Sequence, residues 1–118
     1  MKYLALIYSD PANDPSPQPD SPEFGQYMAR WGALNETYEK AGVMGGGEAL
    51  EPTSTATTVR VRGGRTETMD GPFAETKEQL GGYYLLDCAD LDEAISYAAM
   101  IPSAAYGRIE VRPVMVFD

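Results

Sequence analysis

The segment from Lys2 to Tyr8 constrains the fold more than any other. Leu4, Leu6 and Tyr8 alternate along it with Tyr3, Ala5 and Ile7, so both sides of the alternation are largely apolar. A strand exposed on one face would keep one side polar; this one reads as a central strand buried on both faces. At 118 residues the chain fits a single domain spanning 1–118, with a modest core and a large share of its surface exposed. The cover for that strand has to come from few elements, or from a second copy of the chain.

Asp10 stands at the strand's end, and Pro11, Pro15, Pro17, Pro19 and Pro22 then fall close together with Asp14 and Asp20. That spacing gives an extended, locally stiff loop. It reads as a surface connection, with a flap over a site at the end of the first strand as the alternative. Ser21 before Pro22 predicts an N-cap with proline at the first helical position, and Glu23 suits the dipole of the first turn. Phe24, Tyr27, Met28, Trp31, Leu34 and Tyr38 recur at three- and four-residue spacing, and Gly42 supplies a C-terminal stop. The stripe is expected to be core packed on a sheet; an aromatic floor for a ligand is the other use such a stripe has.

Gly45-Gly46-Gly47 lacks the Gly-Lys-Ser/Thr of a phosphate loop, so close backbone approach explains it better. Glu48 to Pro52 continues a short strand or edge. Thr57 to Arg62 and Arg65 to Met69 flank Gly63-Gly64, a pair that permits the positive φ values of a tight hairpin turn. Arg60 and Arg62 share one face of that hairpin, where they could bind an anion or pair with Glu67. Leu80 to Asp87 reads as a further strand, with Tyr83 and Tyr84 on opposite faces. Asp90 and Glu93 form a capping box ahead of Ala94, Ile95, Ala98 and Ala99, and Pro102 closes that helix. The last strand, from Arg108 to Phe117, sets Ile109, Val111 and Met115 against Arg108, Glu110 and Arg112, with Pro113 marking an edge or bulge.

Between the hairpin and the Leu80 strand lies Asp70-Gly-Pro-Phe-Ala-Glu-Thr-Lys-Glu78, polar, charged and turn-rich. Gly71 and Pro72 require a sharp turn there. Asp70 is expected to cap the N–H of Phe73 and start one helical turn, with Glu75 and Glu78 on a shared face beside Lys77. This segment is the candidate site.

Eighteen acidic against nine basic residues give a net charge of −9, which disfavours nucleic acid and anionic membrane surfaces as partners. No apolar run approaches a membrane span and the start resembles no signal peptide, so a cytoplasmic protein is expected. Cys88 is the single cysteine; it reads as a small apolar residue and agrees with a reducing compartment. The chain has no histidine. Ser-His-Asp and Cys-His catalysis are therefore excluded, as are the usual zinc sites, and no metal or cofactor is expected.

The order strand, helix, strands, helix, strand predicts an α+β ferredoxin-like split βαβ sandwich: an antiparallel sheet with two helices on one face. The other face is left uncovered, and a homodimer of the α/β-barrel type would cover it. The segment from Asp70 to Glu78 with Gly81-Gly-Tyr83, together with Glu48-Ala-Leu50, Thr58-Val-Arg60, Glu93-Ala94 and Glu110-Val-Arg-Pro113, resembles the DGPF branch of the YCII-related proteins over essentially the whole chain. The resemblance implies the same fold and a dimer. The resemblance also implies that some relatives outside that branch are enzymes using a His-Asp pair near the end of the first strand, and a dehydrochlorinase belongs to the broader family. Asp10 stands near the position of that aspartate, while the histidine is missing. Members of the branch are often encoded beside extracytoplasmic-function sigma factors, which implies a regulatory association.

Three readings follow. In the first, Asp70, Phe73, Glu75, Lys77 and Glu78 shape a cleft for a small molecule, bordered by Asp10 and balanced by Arg60, Arg108 and Arg112. In the second, a lyase or isomerase uses Glu75 or Glu78 as proton acceptor, Lys77 or an arginine to hold a developing anion, and Tyr83 as proton donor. In the third, the segment is structural: Asp70 caps, and Glu75 and Glu78 pair with Arg108 or Arg112.

Overall fold

The structure, a computed structural model, describes residues 1–117. Its elements run β1 (Lys2–Ser9), α1 (Phe24–Ala41), β2 (Met44–Ala49), β3 (Thr57–Arg62), β4 (Arg65–Asp70), β5 (Gln79–Asp87), α2 (Leu91–Ala98) and β6 (Arg108–Pro113). The doubly apolar β1 is indeed central. It pairs antiparallel with β5 on one side and β6 on the other, in a four-stranded sheet of order β2-β5-β1-β6. This is the ferredoxin-like α+β arrangement, with β3 and β4 inserted as a separate two-stranded hairpin.

Both helices pack on the face carrying Tyr3, Ala5, Tyr84 and Leu86, where Leu34, Tyr38, Ala94 and Ile101 complete the core. On the opposite face the register sets Leu4 between Leu85 and Arg112, and Leu6 between Tyr83 and Glu110. β6 is an edge strand ending at Pro113. A proline there leaves no ladder bond unmade. Met115 lies beyond the strand and is exposed.

Local chemistry accounts for most boundaries. Gly42, at φ 73°, ends α1 in the left-handed conformation and donates its N–H to the carbonyls of Glu39 and Tyr38. Asp90 accepts the N–H of Glu93 at 2.9 Å, while Glu93 reaches back to the N–H of Ala89 at 3.2 Å, one residue before the usual reciprocal partner. Gly63 and Gly64, at φ 57° and 77°, form the hairpin turn. Arg60 bridges to Glu67 directly across it at 2.9 Å.

Two local expectations are corrected. Ser21 does not cap α1: the N–H of Phe24 bonds the Ser21 carbonyl at 3.2 Å in a separate turn, the helix begins at Phe24, and the Ser21 hydroxyl is buried without a partner. Asp70 starts no helical turn, because it is the last residue of β4, opposite Thr57. The ladder claims its backbone, and Gly71, at φ 94°, turns the chain by donating to the Ala56 carbonyl at 2.7 Å and accepting from the Thr58 hydroxyl at 2.8 Å. Residues 71–78 are irregular.

Candidate functional site

The apolar stripe of α1 divides in two. Leu34 and Tyr38 are buried; Tyr38 meets Tyr84 and Tyr97 edge-on, at 5.2 and 5.8 Å between ring centroids, and donates to the Tyr97 carbonyl at 2.7 Å. One to three turns earlier, Tyr27, Met28 and Trp31 instead roof a cleft of about 450 Å³. The reason lies in the sheet beneath. Gly47, Ala49 and Gly82 share the helix-facing side of β2 and β5, and glycine leaves no side chain to fill the space. Gly47 and Gly82 are glycine for a separate reason, since a Cβ on Gly47 would stand 2.8 Å from both the Tyr83 carbonyl and the Tyr84 ring, and one on Gly82 2.8 Å from the Glu48 carbonyl. Close strand approach thus lowers the floor, and the helix cannot follow it down. The volume falls within the range of small-molecule pockets.

Four separate segments bring polar groups to this cleft. Asp10 caps the turn Pro11–Asn13 by accepting the N–H of Ala12 at 2.9 Å, and that turn carries Asp14 to the cleft wall. Asp14 fixes itself by accepting the N–H of Ser16 at 2.8 Å. Asn35 accepts from the Tyr84 hydroxyl at 2.6 Å, which leaves its amide N–H groups as donors. The turn Pro102–Ala105 supplies Ser103, a lining residue only 4% exposed, whose hydroxyl is buried without a hydrogen-bond partner among the described residues. Tyr106 follows. Burial chiefly, then the adjacent Tyr27 and the Asp14 carboxylate, pushes its hydroxyl well above the ordinary tyrosine value, so it remains a neutral donor.

Of the residues singled out from the sequence, Tyr83 lines the cleft. Its register opposite Leu6 and Glu48 directs the ring to the far face, so it contributes strand rather than side chain. Asp10 sits behind Asp14, as described. Glu78 and Arg108 come together at 3.2 Å at the starts of β5 and β6. Arg112 lies along that same far face opposite Leu4, and Arg60 is on the hairpin with Glu67. Asp70, Glu75 and Lys77 are exposed, as is Phe73 at 85%. None of Asp70, Phe73, Glu75, Lys77, Glu78, Arg60, Arg108 or Arg112 lines the cleft. Cys88 is buried, and burial, helped by the Glu93 and Asp87 carboxylates, pushes its thiol up and keeps it unreactive.

Sequence reasoning missed Asp14, Asn35, Ser103 and Tyr106. The signal that was available is the aromatic stripe above a Gly-Gly-Gly and a Gly-Gly strand: rings over a floor without side chains. Among the described residues, no helix is long and apolar enough to cross a membrane, and no group of three Cys, Asp or Glu gathers as a metal site.

The family profile described as the YCII-related domain matches residues 1–118. The chain is also similar to an uncharacterized protein of Rhizobium meliloti (strain 1021), 41% identical over 119 residues that cover 99% of this chain and 94% of that one.

Proposed function

This chain belongs to the YCII-related domain family, and we propose that it works as a dimeric small-ligand-binding module. One observation carries the reading: the cleft between α1 and the sheet is lined by Ser103, whose buried hydroxyl has no hydrogen-bond partner among the described residues. A buried polar group without a partner costs about 1–3 kcal/mol, which a ligand or water in the cleft would offset. The dimer rests on the uncovered sheet face, where Leu4, Leu6, Tyr83 and Leu85 lie between charged edges. In that dimer Glu78, Arg108 and Arg112 border the interface, and the DGPF segment lies beside it, available to the second copy. The cytoplasm suits such a module, and a regulatory link to an extracytoplasmic-function sigma factor belongs to the same reading.

Native mass spectrometry of the protein purified from its own cells tests the proposal. A dimer carrying a retained small molecule, lost on Ser103→Ala or Tyr106→Phe, is the expected result. A monomer independent of concentration by sedimentation would end the dimer, and absence of the sigma factor from native pull-downs would end the regulatory link.

A second reading, a lyase or isomerase, draws on one observation: Glu78 is half-buried against Arg108 at 3.2 Å. A carboxylate beside a cation is placed to accept a proton while the cation holds the anion that forms. Glu78→Gln should then abolish turnover of a compound recovered from the protein while leaving its binding intact.

A further inference from the structure

On the reading that the cleft is a ligand site, the geometry points to an organic ammonium cation with a flat apolar body as the class of molecule it takes. The charge of the wall comes first. Asp14, exposed at the cleft wall, and Glu48 are the charged residues that line it, and among the described residues no lysine or arginine does. Arg30 is close by but lies over the Tyr27 ring, its guanidinium carbon 5.9 Å from the ring centroid, and lines a neighbouring crevice with Pro17 and Glu23. An anion entering the cleft would be repelled by the Asp14 carboxylate, whereas an ammonium would pair with it.

The rings come second. Tyr27, Trp31, Tyr84 and Tyr106 surround the space, and aromatic faces attract cations most where water is excluded. The polar groups come third. Asp14 is engaged by the N–H of Ser16 and by the Tyr106 hydroxyl, which leaves its remaining lone pairs for an N–H donor. The Asp14 carboxylate and the surrounding rings fit an ammonium head, and the Asn35 amide N–H groups are left for a polar group on the body. Met28, Met44 and Ile7 offer an apolar bed for the body.

Trp31 is the only tryptophan of the chain, so its fluorescence reports on this cleft directly. The probes are three molecules with the same body and different heads: phenethylamine, 2-phenylethanol and 3-phenylpropionate, titrated at neutral pH. Phenethylamine should bind about ten-fold more tightly than the alcohol, and the carboxylate should not saturate. Raising the salt concentration should weaken the amine and not the alcohol. Asp14→Asn, which keeps an oxygen for the Ser16 N–H, should reduce amine affinity about ten-fold and close the gap between amine and alcohol. Equal affinity for amine and alcohol, or preference for the carboxylate, would overturn the cation while leaving the cleft a ligand site. No response of Trp31 to any of the three would overturn both.

Discussion

The four-stranded sheet and the β3–β4 arm are written in similar strand-forming residues and bury them to opposite extents. Along β5, Gly82, Tyr84 and Leu86 are buried beneath the helices, while every residue of β4 is exposed and Val59 and Val61 remain 60% and 57% exposed. Alternation sets which residues share a face; what lies over that face decides whether they are core. The arm holds its shape through its own ladder, the Gly63-Gly64 turn and the Arg60–Glu67 pair. A lone hairpin of that kind is marginal in water. It also lengthens the molecule: the radius of gyration is 16.5 Å, against about 13.5 Å expected for a compact chain of this size. Val59, Val61 and Met69 thus stay exposed on the arm.

The largest contrast is expected from truncating one residue in each region. Leu86→Ala removes a fully buried side chain and should cost about 2–5 kcal/mol, read as a lowered urea midpoint and a melting temperature down by more than about ten degrees. Val61→Ala should stay within about 0.5 kcal/mol on a dilute monomer. A loss for Val61→Ala that grows with protein concentration would mean the arm is covered in a dimer, and the two regions would then differ only in whose residues cover them.

Glycines sharpen the same contrast at a smaller scale. Gly47→Ala forces a methyl to within 2.8 Å of the Tyr84 ring, so it should cost about 1–3 kcal/mol and shift Trp31 emission by raising the cleft floor. Gly64→Ala meets nothing within 4 Å but must hold φ at 77°, a strain of about 1–2 kcal/mol confined to the hairpin. Unchanged Trp31 emission in Gly47→Ala would sever the link drawn here between strand approach and cleft depth.

Alkali should separate the regions without any mutation. Burial raises the Tyr38 and Tyr84 hydroxyls above their ordinary value of 10.0, with Tyr84 and then Cys88 adding to the rise at Tyr38. Below pH 10 both folded and unfolded chains keep these protons and stability is complete. Above it the unfolded chain releases them first, so stability falls as pH rises toward the folded values. The arm from Thr57 to Asp70 has no tyrosine, and amide exchange there should follow only the intrinsic pH dependence. Tyr38→Phe should cost about 1 kcal/mol at neutral pH through the lost bond to Tyr97 and flatten the alkaline limb; an unflattened limb would assign it to other groups.

What could be read in the sequence follows from range. The double apolar alternation of β1, the Gly63-Gly64 turn, the Asp90 and Glu93 cap and the Arg60–Glu67 pair each need only residues a few positions apart or directly across a hairpin, and each is present. The turn expected after Asp70 failed because a ladder bond to the opposite strand outweighed a local cap, and that competition is invisible without the pairing. The cleft was harder still. Asp14, Trp31, Ser103 and Tyr106 come from a loop, a helix and a turn near the other end of the chain, so no spacing could announce them. The stripe on α1 did announce rings on one face, but whether rings are core or roof depends on the glycines of β2 and β5 beneath them.

The smallest effect belongs to the pair joining the DGPF segment to the sheet. Glu78 and Arg108 stand 3.2 Å apart, with the arginine side chain 82% exposed and the glutamate 35%. Water screens such a pair, so Glu78→Gln should lower stability by no more than about 0.5 kcal/mol. A cycle with Arg108→Ala measures the coupling itself. Coupling near zero in dilute monomer that rises as copies associate would place the pair at the border of the covered sheet face, where exclusion of water strengthens it. A large coupling in the monomer would instead make the segment a structural clasp between β5 and β6, and it would shift the weight of function wholly onto the cleft.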